Sequence, residues 1–143
     1  MTQPMMDLRI RDDEPPSGPE LAELRAAAGW SSYPAEAIAK SVHCGRWVTA
    51  RLEDGTLIGM GRCMSDGVLY ASIWDMVVLP PYQRQGIGRR IFEELLRPLS
   101  GHSLVTLVAT PAGQPLYKEY GFTPESRGSE ALVWRPTVYA DRR

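Results

Sequence analysis

The segment with the clearest chemical meaning is Gln83-Arg84-Gln85-Gly86-Ile87-Gly88-Arg89-Arg90, which follows a long apolar run. Glycines at 86 and 88 let backbone amides approach an anion. A helix opening there adds unpartnered N–H groups and the positive end of its dipole. Arg84, Arg89 and Arg90 bring charge, so the place suits a pyrophosphate. Gly-x-Gly alone is weak: position 91 is Ile, and no Gly-Lys-Ser/Thr follows, so neither a dinucleotide fingerprint nor a P-loop fits. The plain alternative is a tight strand-to-helix turn. Asp75 is an ionisable group inside the apolar run. A lone buried carboxylate is costly, so Asp75 is either hydrogen-bonded or open to a cleft. His43 and His102 show no ligand spacing to each other or to Cys44, and the two cysteines, Cys44 and Cys63, form no CxxC, so no metal site is expected. Cys63, within a strand, reads as a small apolar residue rather than a nucleophile.

The elements that must position these residues follow from pattern. A chain of 143 residues is one domain by size and can bury a real core. Lys+Arg numbers 16 against Asp+Glu 17, and a formal charge of −1 gives no field to hold a polyanion, which argues against nucleic acid. No apolar run reaches the ~18 residues that a membrane helix needs. The polar start and the two separate thiols point to a cytoplasmic protein. The spacing predicts a short strand over Leu8–Arg11, a helix over Glu20–Ala28 and a second helix from Pro34 to about Val42. Strands follow over Trp47–Glu53, Leu57–Met64 and Val68–Leu79, joined by Asp54-Gly55 and Asp66-Gly67 turns. The third strand is apolar nearly throughout and is expected at the centre of the sheet, covered on both faces. Gly86–Arg97 has helical period, Leu104–Ala109 reads as strand, Ala112–Tyr120 as helix, and Phe122 and Ala131–Trp134 as further strand. Strand, helix, strand from Val68 to Ala109 is a crossover, so those two strands should be parallel neighbours. Arg142-Arg143 is expected in solvent.

Gln83-x-x-Gly86-x-Gly88 after Val78-Leu79-Pro80, with Leu116-Tyr117-Lys118-Glu119-Tyr120-Gly121-Phe122 downstream, resembles the coenzyme A loop and the Y-x-x-x-G-F segment of the GNAT superfamily of N-acetyltransferases. The resemblance covers nearly the whole chain. It implies one GNAT domain over 1–143, an α+β fold with a mixed, largely antiparallel central sheet flanked by helices on both faces. Ile58-Gly59-Met60-Gly61-Arg62, Ser65-Asp66-Gly67, Ile73-Trp74-Asp75 and Val133-Trp134-Arg135-Pro136 further resemble its plastid and cyanobacterial branch, which includes serotonin (arylalkylamine) N-acetyltransferases. The co-substrate implied is acetyl-CoA, with no metal. The backbone of Met76, Val77 and Val78 would pair with the pantetheine amides like a missing strand. Gln83 and the amides of Arg84, Gln85, Gly86, Ile87, Gly88 and Arg89 would hold the pyrophosphate. Tyr117 would sit near the thioester sulfur. Seven residues before that tyrosine the family often has Asn and the branch Asp; here Thr110 stands there, able to hydrogen-bond pantetheine or a water but not to act as a carboxylate base.

Acetyl transfer to an amine needs a proton for the departing thiolate, and a phenol against the sulfur is a suitable donor. Tyr117 is therefore read as general acid, against the alternative of a core aromatic whose hydroxyl satisfies a backbone group. Asp75 is read as general base or as the group attracting the amine, with Trp74 shaping the pocket, against a strand-edge aspartate bonded to a backbone amide or an arginine. Trp30 and Tyr33 lie between the first two helices, where this superfamily usually builds its acceptor site; two aromatics would suit a flat or cationic amine or simply pin the helices. The acceptor expected is a small amine, aromatic amines included; a protein lysine or N-terminus, or a non-catalytic acyl-CoA-binding module, are the alternatives. Neither nucleic acid nor membrane is an expected partner, and because the superfamily often forms dimers a homodimer stays open.

Overall fold

The computed structural model describes residues 8–125 and 127–136, so the Arg142-Arg143 tail lies outside it. The chain divides into two compact units, one ending at Leu107 and one beginning at Val108. In the first unit the order is β1 (Arg9–Arg11), α1 (Gly18–Ala27), α2 (Ala35–Ser41), β2 (Arg46–Arg51), β3 (Leu57–Ser65), β4 (Tyr70–Val78), α3 (Ile87–Leu96) and β5 (Leu104–Leu107). The second unit contains α4 (Gln114–Glu119).

The five strands form one sheet in the order β1-β2-β3-β4-β5. The first four are antiparallel neighbours, and β4 and β5 run parallel, as the crossover requires. Both Asp-Gly turns work through the aspartate. Asp54 accepts from the Thr56 amide, and Asp66 accepts from the amides of Val68, Leu69 and Tyr70. An aspartate that ties down its own following backbone is a turn former by mechanism, not by polarity alone. Those three bonds also hold the Asp66 carboxyl below its ordinary pKa. At the start of α1, Ser17 Oγ accepts from the Glu20 amide while Glu20 accepts from the Ser17 amide, a reciprocal cap. The Glu20 carboxylate also binds Arg51 of β2 at 2.7 Å, tying the helix end to the sheet.

Two apolar layers sandwich the sheet. On one face Leu21 and Leu24 of α1 and Ile38 and Val42 at α2 pack with Trp47, Leu57 and Met60, and Val77 and Leu79 lean against them. On the other, α3 buries Ile87, Ile91, Phe92 and Leu95. That approach is close because β3 offers glycines there: a Cβ on Gly61 would stand 2.5 Å from Met76 Sδ and 2.7 Å from Leu95 Cδ1.

Three expectations need correction. Strand β4 is internal but not covered on both faces, since Tyr70 and Trp74 are exposed. Alternation turns Tyr70, Ser72 and Trp74 to one face, and only the other carries the buried Ala71 and Ile73. Ala131–Trp134 form no strand, and Leu132, Val133 and Trp134 are exposed at 85%, 58% and 85%. Phe122 likewise lies outside any strand. An apolar run becomes a strand only with a ladder to join, and the described residues pair none with it.

Candidate active site

The site begins with a fault in a ladder. Met60 faces Val77 and Arg62 faces Trp74, so Gly61 alone stands opposite Asp75 and Met76. This is a β-bulge, and Asp75 stands in it with left-handed backbone (φ +57°). Counted by alternation from Ile73, Asp75 would point toward α3. The bulge re-aims it. Its carboxylate meets Arg25 of α1 and Arg62 of β3 on the opposite face, while Met76 takes the side of Gly61 and Leu95.

Asp75 is fully engaged there. Arg62 donates to one carboxylate oxygen from Nε and Nη2 at 3.0 and 2.7 Å, and Arg25 Nη1 donates to the other at 3.1 Å. Arg62 Nη1 also reaches the carbonyl oxygens of Ser41 and Cys44 and the Ser41 hydroxyl, and its guanidinium lies 4.3 Å from the Trp47 ring centre. Arg25 donates to the Ser31 carbonyl and stacks on Trp30 and Tyr33, 5.3 and 4.6 Å from their centroids. Asp75, Trp30 and Tyr33 are therefore brought together, around an arginine of the protein itself. Trp74 projects half-exposed from β4, its Nε1–H on the Ser72 hydroxyl at 2.7 Å.

Just past the bulge, β4 has an open flank. Pairing with β5 ends at Ile73↔Leu107, whereas β4 continues to Val78. On its other side Val77 and Val78 pair with Met60 and Gly59. Among the described residues no strand pairs with Met76, Val77 and Val78 on the β5 side, so an extended amide chain could lie there. Beyond the strand, Gln83 Nε2 folds back to the Val78 carbonyl at 2.8 Å. Arg84 (φ +64°) and Gly86 (φ +81°) are both left-handed, which curls the loop into a shape that turns amides inward. No side chain caps α3, and its first turn carries no acidic residue. The Arg90 amide makes the first bond back along the helix, to Gly86, so the Ile87 and Gly88 amides precede the helical ladder. Arg84, Arg89 and Arg90 are exposed around this end. An open strand edge leading to uncapped amides flanked by cations fits a pantetheine arm ending in a diphosphate.

In the second unit, the Thr110 carbonyl accepts from the amides of Gly113 and Gln114 at the head of α4. Tyr117 lies on that helix with its ring over Gly113: a Cβ there would stand 2.8 Å from the ring. Burial pushes the Tyr117 phenol above its ordinary pKa, which keeps it a proton donor at neutral and mildly alkaline pH. Elsewhere, Cys63 is buried and its thiol raised by burial, and His102 is bonded to the Ser65 hydroxyl. Among the described residues no cluster of His, Cys, Asp and Glu could hold a metal.

Arg25 and Gly61 were not predicted as site residues. Gly61 is legible only once the bulge is known. Arg62 left a trace: inside β3 it shares the inward face of Met60 two residues earlier, and an inward guanidinium demands a carboxylate.

The sequence profile described as the Acetyltransferase (GNAT) family matches residues 5–122. An uncharacterized ycf52-like N-acetyltransferase of Prochlorococcus marinus is 33% identical over 126 residues, covering 80% of this chain and 67% of the relative. The histone acetyltransferase TAP1 of Glycine max is 37% identical over 86 residues, 59% of this chain and 37% of its own length. The chain thus spans about two thirds of the one relative and little more than a third of the other. Among solved structures, a protein of unknown function from meticillin-resistant Staphylococcus aureus superimposes with TM-score 0.80 at 30% identity, covering 90% of this chain and 99% of that one. A GNAT-family acetyltransferase of Streptococcus pneumoniae gives 0.77 at 26%, covering 90% and 98%. The kinship to a plastid and cyanobacterial group holds at the level of ycf52-like proteins. With the open strand, the uncapped helix and a profile spanning most of its length, the chain belongs to the GNAT family of acetyltransferases, which take their acetyl group from acetyl-CoA.

Proposed function

We propose that the protein moves the acetyl group from acetyl-CoA to a primary amine by direct attack within a ternary complex. The observation that carries this reading is the unpaired flank of Met76–Val78 running into the amide-lined turn at Arg84–Gly88. On this reading the strand edge bonds the pantetheine amides and the helix start bonds the diphosphate. The amine nitrogen forms the C–N bond as the C–S bond breaks. The leaving thiolate takes the Tyr117 proton, and the proton shed by the new amide nitrogen returns to the phenolate through water. Asp75, its oxygens taken up by Arg25 and Arg62, serves to hold the bulge rather than to accept the amine's proton.

The acceptor is a small amine, with the half-exposed ring of Trp74, next to the β4 bulge, available to it. A second reading, acetylation of a protein lysine, draws support from the likeness to the soybean protein named a histone acetyltransferase. Thiol release from acetyl-CoA across an amine panel, beside mass spectrometry of protein acceptors, separates the two. For Tyr117→Phe we expect kcat lower by roughly 10²-fold or more, the usual worth of general acid help, with little change in acetyl-CoA affinity. An unchanged kcat removes Tyr117 from the chemistry.

A further inference from the structure

The surroundings of Arg25 form a guanidinium receptor that engages both terminal nitrogens and the plane, and leaves only the buried Nε without a hydrogen-bond partner. A carboxylate oxygen of Asp75 lies at 3.1 Å from Nη1, the Ser31 carbonyl at 3.0 Å from Nη2, and two aromatic rings stack on the plane. The contacts come from two pieces of chain: the β4 bulge, and the loop after α1 that carries Ser31 and both aromatics. The arginine side chain is only 15% exposed. These are the groups that would recognise a substrate cation, and the protein has filled the place with its own.

We propose that Arg25 is a positioning residue that plugs this receptor and so locks the loop of Trp30 and Tyr33 onto the bulge of β4. Two consequences follow. The aromatic pair does not receive the acceptor's ammonium group, because a second cation against Arg25 and Arg62 would face two positive charges sharing one carboxylate. The acceptor is bound against a surface whose shape Arg25 sets. The kinetic half of this inference rests on the acetyl-transfer reading above; the binding half does not.

Removing the side chain should leave an empty slot of defined chemistry. In Arg25→Ala, millimolar methylguanidinium chloride should raise the melting temperature, whereas equal sodium chloride or urea should not, and the unmodified protein should show no such rise. With the best amine of the panel, Arg25→Ala should raise the amine KM roughly tenfold, the scale of one charge-assisted hydrogen bond, and methylguanidinium should restore much of it. Arg25→Lys should stay impaired, since an ammonium lacks the planar fork. If Arg25→Ala does not fold, Arg25→Met keeps the apolar stem and is measured for amine KM and for the same salt-specific stabilisation. A folded variant with no methylguanidinium-specific stabilisation, or with the amine KM of the unmodified protein, overturns the proposal. Rescue of stability without any acetyl transfer in the unmodified protein would instead overturn the catalytic reading and leave the receptor standing.

Discussion

Tyr117 shows how a single ring can be held by the absence of a neighbour's side chain. Its ring occupies the space above Gly113 that a Cβ would need, and Gly113 has an ordinary backbone (φ −85°), so alanine there strains nothing except that contact. Gly113→Ala should therefore leave the unfolding midpoint nearly unchanged while displacing the phenol and lowering kcat at least tenfold, since small misplacements of a reacting group are expensive. The raised pKa of Tyr117 adds a sign. A general acid works while protonated, so the alkaline fall in kcat should lie above the ordinary tyrosine value of about 10 and be missing in Tyr117→Phe. The same shift favours the folded state below that ordinary value, and the benefit fades as pH climbs through the higher folded one. That Tyr117 stands on a short helix was legible from the pattern of its segment. Asp75 was legible as an anomaly but not in its direction, because a period of two points it to the wrong face when one residue is extra.

At the scale of elements, turns and caps could be read directly and faults could not. Asp54-Gly55 and Asp66-Gly67 carry their own hydrogen-bond chemistry, so both hairpins stood in the sequence, and the switch from period two to helical period marked α3. The bulge leaves no comparable mark, since nothing in Trp74-Asp75-Met76 demands a positive φ. Its structural counterpart is Gly61. Gly61→Ala would press a methyl against Met76 Sδ and Leu95 Cδ1, and overpacking of this kind costs about 1–3 kcal/mol, measurable as a lower urea midpoint. Because Met76 belongs to the open flank, the same change should raise the acetyl-CoA KM more than it lowers kcat. Ala131–Trp134 failed for the converse reason: an apolar pattern was present without a ladder partner.

For the whole molecule, burial is uneven. Strands β2 and β3 are buried nearly throughout, whereas Met76, Val77 and Val78 are only half-buried. Hydrogen exchange should reflect this. The amides of β2 and β3 should protect most strongly, and added acetyl-CoA should slow amides confined to the end of β4 and the loop from Arg84 to Gly88. Uniform slowing across β1 and β2 instead would contradict the placement of the donor. The overall architecture was legible because alternation, turn chemistry and crossover all demanded one sheet order. What composition could not show is where a sheet stops pairing, since that depends on the length of β5.

That length has a further consequence. A strand inside a sheet with one bare flank is a template for any stretched polypeptide, another molecule's included. A β5 long enough to pair as far as Val78 would remove that hazard and close the groove with it. The short strand thus sets solubility against activity, and the donor, by occupying the edge, would act as the protein's own guard against self-association.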